Sequence, residues 1–374
     1  MKSVPSQRNT KHARGLIPVT LAANLLLGGC ATPQGTVQTA GAPIVYSTSR
    51  PGLQLAVYSN PFGSRPEAET DSRLQRFLYG PQNTASPVVR NPQGMTVHGD
   101  RLFICDQGLP DVVLIELSTG RMRRWTKLAD RPACPVDVAV DDRGRVFVAD
   151  TTHSGLLRYD PQGRLAGKLT PPMPAAQRFR PCSLEWDAGR LFVGDCATGR
   201  IHRYDTSADQ WITPLETSEK AVAPGMPTGL AMSDGVLYIA DALRGVVHRV
   251  DADGVWLASI GRQGRAEGEL IRPMQIACTL DGLLFVADAG RQSIVVFDRD
   301  GQFVAEVGGE GGNPGGERFT LPGGLATLSS SATSHALARM HRETEIASDG
   351  VIVADLLNRQ SLRMIAALQI HERP

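Results

Sequence analysis

Six copies of one short pattern follow one another along the chain, and this repeat restricts the possible folds more than any other feature. Each copy has a proline, a short apolar strand, a turn with glycine or Asp-Gly, a second apolar strand and a closing aspartate. The opening prolines recur every 43 to 49 residues, at Pro92, Pro135, Pro181, Pro227, Pro273 and Pro322. The closing aspartates are Asp106, Asp150, Asp195, Asp241, Asp288 and Asp355. A period in the forties with short strands in every unit predicts the blades of a β-propeller.

The fifth copy is the most complete. It runs IGRQGRAEGELIRPMQIACTLDGLLFVADAGRQSIVVFDRDGQFVAEVG and resembles an NHL repeat in its glycine-rich start, proline, VAD strand and VFD strand. The resemblance extends over roughly residues 74 to 365 and implies an all-β, six-bladed propeller of NHL type at residues 92–367. That fold carries both enzymes and binding scaffolds, so the resemblance alone implies no chemistry.

The last blade needs a fourth strand from elsewhere, because only the short polar segment HERP follows the third-strand segment SLRMIAAL. A ring that is not closed leaves an exposed sheet edge. We predict that LQRFLYG at residues 74–80, within the N-terminal segment 51–91, supplies this closing strand. The apolar segment GLQLAVYS at residues 52–59 is the alternative.

Residues 1–29 have the features of an export signal. Basic residues precede an apolar stretch from Leu16 to Leu27 that is too short for a stable membrane span. The stretch ends in Leu-Gly-Gly-Cys30, which resembles a bacterial lipobox and implies lipidation of the Cys30 thiol. An ordinary signal peptide with a chance cysteine is the alternative.

The residues after Cys30 predict the membrane to which the protein is sorted and the tether that links the anchor to the propeller. Ala31 follows Cys30, and the absence of aspartate there favours the outer membrane of a Gram-negative cell, facing the periplasm. Residues 30–50 are rich in threonine, glycine, alanine and proline, which predicts a flexible tether with nothing to bury. Membrane contact is expected through the lipid anchor only.

Charge and composition exclude one class of partner. The 39 basic and 38 acidic residues leave a net charge of +1, and no basic stripe or aromatic platform appears in the sequence. We therefore expect no nucleic-acid binding. No motif for a cofactor is found, so no cofactor is expected.

Five cysteines remain if Cys30 is lipidated. Four of them flank opening prolines or closing aspartates on one face of the ring: Cys105, Cys134, Cys182 and Cys196. We expect a bond within blade three, Cys182–Cys196, and one joining blades one and two, Cys105–Cys134, although four cysteines allow three connectivities. Cys278, inside a first strand, is expected to stay a free thiol.

Metal-dependent enzymes occur among six-bladed propellers, and the peptidyl-hydroxyglycine lyases and gluconolactonase-like hydrolases place metal ligands around the axis. The ring histidines occupy unlike repeat positions: His98, His153, His202 and His248. Two residues after each proline stand Gly94, Asp137, Ser183, Gly229, Gln275 and Gly324, and of these only Asp137 is a strong ligand. No metal site is therefore expected.

The repeated aspartates favour a structural explanation over a ring of acid groups. An aspartate at a strand end accepts hydrogen bonds from the backbone of the following turn. Its presence in all six copies indicates a role in the blade itself, since a functional site usually breaks the symmetry of a repeat.

Candidate ligand-binding residues stand where the repeat is broken. Arg180 and Arg272 precede opening prolines near one mouth of the channel, where Asp137, Ser183 and Gln275 add polar groups. Two arginines can hold a carboxylate or phosphate through paired hydrogen bonds, or can pair with acids of neighbouring loops. The insertion at residues 328–348, between the first two strands of blade six, is a second candidate surface and contains a short helical pattern.

These observations predict a lipid-anchored, exported propeller that binds or scaffolds a protein partner in the cell envelope. No catalytic residue is expected. A metal-dependent enzyme working at the channel mouth, lactonase-like or lyase-like, is the alternative.

Overall fold

The structure, a computed structural model, describes residues 44–50, 53–59, 89–215, 224–251, 254–309, 319–339, 349–355 and 362–369. The predicted signal peptide, Cys30 and the segment 74–80 lie outside these ranges. Residues 38–374 form one compact unit, and every described strand belongs to it.

Six antiparallel sheets form the blades of a six-bladed β-propeller. Blade one has β3 (Pro92–His98), β4 (Arg101–Asp106), β5 (Asp111–Glu116) and β6 (Met122–Arg124). Blade two has β7 (Pro135–Val140), β8 (Val146–Asp150), β9 (Gly155–Tyr159) and β10 (Leu165–Leu169). Blade three has β11 (Pro181–Asp187), β12 (Arg190–Asp195), β13 (Ile201–Asp205) and β14 (Gln210–Ile212). Blade four has β15 (Pro227–Ser233), β16 (Val236–Asp241) and β17 (Val246–Val250), with two isolated bridges, Val247–Ile260 and Val250–Trp256, at the fourth position.

The last two blades complete the ring. Blade five has β18 (Pro273–Cys278), β19 (Leu284–Asp288), β20 (Ser293–Phe297) and β21 (Phe303–Gly308). Blade six has β22 (Pro322–Leu328), β23 (Gly350–Asp355) and β24 (Leu362–Gln369) from the C-terminal part, and β1 (Ile44–Ser47) and β2 (Leu53–Ser59) from the N-terminal part. The first strands of successive blades contact one another around the whole ring, including β22 with β3.

The register of the blades defines two faces. In every blade the opening proline pairs with the closing aspartate, as Pro273 does with Asp288. The loops before the prolines and the turns after the aspartates therefore share one end of the ring, which we call the proline face. The turns between first and second strands, and between third and fourth strands, lie on the opposite face.

The strand that closes the ring is β2, not the predicted segment 74–80. Strand β2 pairs antiparallel with β24 from Leu53–Gln369 to Ser59–Arg363, so it occupies the fourth position of blade six. Strand β1 pairs with β2 as a fifth strand, which corrects the boundary of the tether predicted at residues 30–50. Leu55, Val57 and Ile365 are buried between blades five and six, and this burial explains why 53–59 serves as the closing strand.

The insertion in blade six contains a helix, α1 (Ser330–Arg339), which begins earlier than the helical pattern in the sequence. The Ser329 hydroxyl accepts a hydrogen bond from the Ala332 backbone at 3.4 Å, and Ala332 and Thr333 are buried. Within the ranges given above, no helix is long and apolar enough to cross a membrane.

Candidate functional site

In blades one to five, the closing aspartate connects two loops of its own blade. All six closing aspartates are fully buried. Asp288 shows the arrangement: its carboxylate accepts hydrogen bonds from the backbone of Ile271 and Arg272 before the proline, and of Gly290 and Arg291 after the second strand, at 2.7 to 3.0 Å. The carboxylates of the other five blades accept backbone hydrogen bonds from the same loop before the proline. These contacts assign the repeated aspartates a structural role.

Hydrogen bonds lower the pKa of three of these carboxyls, Asp150, Asp195 and Asp241, although burial acts in the opposite direction. Burial alone would raise the pKa of Asp241, but hydrogen bonds from His248 and the backbone of Gly225 outweigh that effect and hold it well below the usual value. The His248 ring lies 3.2 Å from the carboxylate, and His202 lies 3.5 Å from Asp195. The two third-strand histidines therefore stand beside closing aspartates, in separate blades.

Two of the candidate ligand-binding residues meet on the axis of the ring. The Gln275 amide donates a hydrogen bond to Asp137 Oδ2 at 3.1 Å, and the Leu184 backbone donates to the same oxygen at 2.8 Å. The Val138 backbone donates to Asp137 Oδ1 at 2.9 Å. Blades two and five are three blades apart in a ring of six, so the Asp137–Gln275 contact spans the channel.

Glycines leave space for this contact. A Cβ atom at Gly94 would overlap the Asp137 carboxylate, and one at Gly229 would lie 2.6 Å from Gln275 Oε1. At the second position after the proline, blades two and five carry Asp137 and Gln275. Their neighbours, blades one and four, carry glycine there, which leaves room for the two side chains.

A cavity of about 280 Å³ lies on the axis and is lined by first-strand residues from all six blades. Apolar residues outnumber polar ones in its lining, but polar atoms form most of the exposed wall, and two carboxyls, Asp137 and Glu185, line it. Desolvation by burial raises the pKa of Asp137 to about 7 despite its three hydrogen bonds. Desolvation also raises the pKa of Glu185 to about 8, with smaller contributions from the charges of Asp137 and Asp187.

Glu185 was not among the predicted site residues. It stands four residues after Pro181, where the other five copies carry only small side chains, namely Thr96, Ala139, Ala231, Ala277 and Ala326. Alignment of the six copies at that position would have identified it. Its Oε1 accepts a hydrogen bond from the Met232 backbone in blade four at 3.2 Å.

The other predicted site residues are placed differently. Ser183 is fully buried, and its hydroxyl donates to the Pro227 carbonyl at 2.6 Å, which links blades three and four. Arg180 and Arg272 are exposed on the proline face, and their backbone amides donate to Asp195 and Asp288. Among the described residues, neither guanidinium has an acidic partner within ion-pair distance.

One of the two expected disulfides is present. Cys182 and Cys196 are bonded, with their Cα atoms 6.0 Å apart, because each directly follows a member of the Pro181–Asp195 pair. Contrary to prediction, Cys105 and Cys134 are free thiols. Cys105 points into the core between blades one and two, and the Gln107 amide lies 3.5 Å from the Cys134 sulfur. Cys278 is free as expected, and burial raises its pKa.

The described residues do not fit a metal ion. No group of three or more His, Cys, Asp or Glu side chains in the described ranges is placed to hold one. The oxygens of Asp137 already accept three hydrogen bonds from the protein, so its donor set is engaged.

Comparison with known proteins supports the fold and assigns no chemistry to this chain. No protein family matches the sequence, and no curated protein matches it either. A solved protein of unknown function from Bacteroides thetaiotaomicron is similar at a TM-score of 0.56 and 15% identity, over 76% of this chain and 72% of that one. A gluconolactonase from Xanthomonas campestris is similar at a TM-score of 0.56 and 13% identity, over 88% and 95% of the two chains. A streptogramin B lyase aligns at a TM-score of 0.48 and 12% identity, over 75% and 95%. At these identities, the two likenesses with a TM-score of 0.56 support the β-propeller fold and nothing beyond it.

Proposed function

We propose that this protein is an exported propeller of NHL type, anchored through a lipid on Cys30, which binds an anionic partner at its proline face. The observation that supports this function most directly is the state of Arg180 and Arg272. Both guanidinium groups are exposed, and neither has an acidic partner among the described residues. Arginines in this state are available for paired hydrogen bonds to carboxylate or phosphate groups.

The polar groups inside the channel are already hydrogen-bonded to the protein, which favours binding at the rim of the channel. Asp137 and Gln275 bond across the axis, and Ser183 is committed to the Pro227 carbonyl. These three polar groups hold the blades together, so of the five candidate residues Arg180 and Arg272 are the two left for a partner.

Two experiments test the proposal. Metabolic labelling with a fatty acid should mark the wild-type protein and not the Cys30→Ser variant, because a hydroxyl does not replace the thioether. Affinity capture from solubilised envelope should recover partners with the wild-type protein, and the R180A/R272A variant should lose them. The matched control R101A/R190A removes two exposed arginines from the opposite face and should keep them. Labelling of C30S, or equal capture by both double variants, would contradict the proposal.

An enzyme is the second candidate, because two carboxyls with pKa values of about 7 and 8 face one cavity. Groups that titrate near neutrality can transfer protons to and from a substrate. A gluconolactonase shares the propeller fold, which makes lactones a reasonable first substrate class. Turnover of a lactone that is lost in the Glu185→Gln variant would favour this candidate. Elemental analysis that finds one tightly held metal per chain would favour the metal-dependent form.

A further inference from the structure

The two faces of the ring differ in exposed charge. Among the described residues, the proline face has these exposed cations in its loops: Arg90, Lys127, Arg178, Arg180, Arg200 and Arg272. The described carboxylates of that face are buried or paired, apart from Glu267 and the half-buried Asp130. In the described part of the chain, the exposed charge of this face is therefore mainly cationic.

The opposite face has another character. Its turns contain exposed aspartates, among them Asp142, Asp281 and Asp300, interspersed with arginines such as Arg101 and Arg190. An anionic surface would be attracted to the proline face and not to this one.

The path of the N-terminal segment provides a second, independent observation. Strand β1 runs antiparallel to β2, and Ile44 pairs with Val57 while Ser47 pairs with Gln54. Because the Ser59 end of β2 pairs with Arg363 near the proline face, the Ile44 end of β1 points towards that face. Strand β1 therefore begins on the cationic side of the ring.

We infer that the proline face docks on an anionic lipid surface, namely the bilayer in which Cys30 is anchored. This inference rests on the proposed lipidation and names the partner of the same face. Residues 31–43 provide at most about 50 Å of extended chain between the anchor and β1, which keeps the ring close to the bilayer. Phosphate groups of lipids are the anions that Arg180, Arg272 and their neighbours would contact.

Vesicle binding tests the face without the anchor. Residues 38–374, which form one compact unit, should co-sediment with phosphatidylcholine vesicles that contain phosphatidylglycerol and not with phosphatidylcholine alone. Binding should weaken as salt is raised, since exposed charges are screened. Each arginine removed should lower the partition coefficient about fivefold, so R180A/R272A should lose about 25-fold.

The control variant tests whether binding depends on the proline face, and labelling of Cys30 tests the anchor. R101A/R190A has the same net charge as R180A/R272A, and it should bind the anionic vesicles like wild type. Equal losses in the two variants, binding to phosphatidylcholine alone, or no binding to either vesicle would overturn the inference. Acyl labelling of Cys30 in the full chain tests the anchor separately, so failure of lipidation and failure of docking are distinguishable. Capture of an acidic protein by a face that binds no vesicles would assign the face to that protein instead.

Discussion

The side-chain amide of Gln275 in blade five lies 3.1 Å from the carboxylate of Asp137 in blade two and joins two blades that share no strand pairing. The contact is buried, with Asp137 1% and Gln275 7% exposed. This hydrogen bond connects opposite sides of the ring, whereas the contacts between first strands connect only neighbouring blades.

Removing the donor should weaken the ring. Gln275→Leu keeps the approximate volume but takes one hydrogen bond from a buried carboxyl, and we expect a loss of about 1 to 3 kcal/mol in the free energy of unfolding. Chemical denaturation at pH 8 measures it. Gln162→Leu, in an exposed turn of blade two, is the matched control and should change stability by less than about 0.5 kcal/mol. Equal stability of the two variants would show that the axial bond contributes nothing.

Glu185 should make the stability depend on pH in a defined direction. Because its pKa rises from 4.5 to about 8 in the folded protein, the folded state holds a proton that the unfolded state releases. The stability from this group is complete below about pH 4.5 and falls as the pH rises to about 8; Asp137 acts in the same direction up to about pH 7.

Glu185→Gln removes this titration and keeps an acceptor for the Met232 backbone. We expect the variant to equal wild type at pH 4 and to exceed it by about 2 kcal/mol at pH 9, after allowance for water in the cavity. Denaturation curves between pH 4 and pH 9 measure the difference, with the exposed Glu267→Gln as control. A difference that does not change with pH would contradict the expectation.

The closing strand can be tested with two valines on adjacent strands. Val57 in β2 is 2% exposed and packs against blade five, whereas Val45 in β1 is 40% exposed. Val57→Asp places a charge in the core and should destabilise the ring by about 3 kcal/mol or more or cause aggregation. Val45→Asp should be nearly neutral. Thermal unfolding compares them, and a stable Val57→Asp protein would argue against closure by β2.

A closing aspartate should contribute more than any exposed acid. Asp288→Ala leaves four backbone amides without their charged acceptor, and we expect a loss of about 3 kcal/mol or more. Asp300→Ala changes an exposed turn of the same blade and should cost less than about 0.5 kcal/mol. Hydrogen exchange should also be faster at Ile271 and Gly290 in Asp288→Ala. Unchanged exchange would contradict the structural role.

The cysteines give a chemical prediction. Peptide mapping without reduction should find Cys182–Cys196 bonded and Cys105, Cys134 and Cys278 as thiols. The bond spans 14 residues, so Cys182→Ser should lower stability by about 3 kcal/mol. Cys134→Ser, which removes a half-exposed free thiol, is the control. A Cys105–Cys134 bond in the purified protein would contradict the structure.

The fold could be predicted from the sequence because its signals are local and repeated. Every copy places a proline, two apolar strands and an aspartate at matching distances, and the Pro–Asp pairs follow directly. The closing strand could not be located in this way. Two apolar segments, at 53–59 and 74–80, precede blade one, and the choice depends on packing against blade five and β24, which no local pattern contains.

Part of the site could be predicted because the repeat defines equivalent positions in every blade. Asp137 and Gln275 occupy equivalent repeat positions, so their place on the axis follows from the repeat. Their bond could not be predicted, because it depends on the width of the ring and on the space left by Gly94 and Gly229. The cationic face could not be predicted either. The net charge is only +1, and the residues of this face come from loops far apart along the chain.

The pairing of Leu53 with Gln369 means that the closing strand β2, near the start of the ring, needs the distant strand β24 as its partner. During synthesis, β2 emerges about 300 residues before β24, and the edge of β2 that faces β24 stays unpaired until then. Blades one to five can assemble from neighbouring segments as they appear, while closure requires β24. A nascent chain that is stalled or truncated before residue 362 therefore keeps an adhesive edge, and we expect such fragments to need a chaperone or to be degraded.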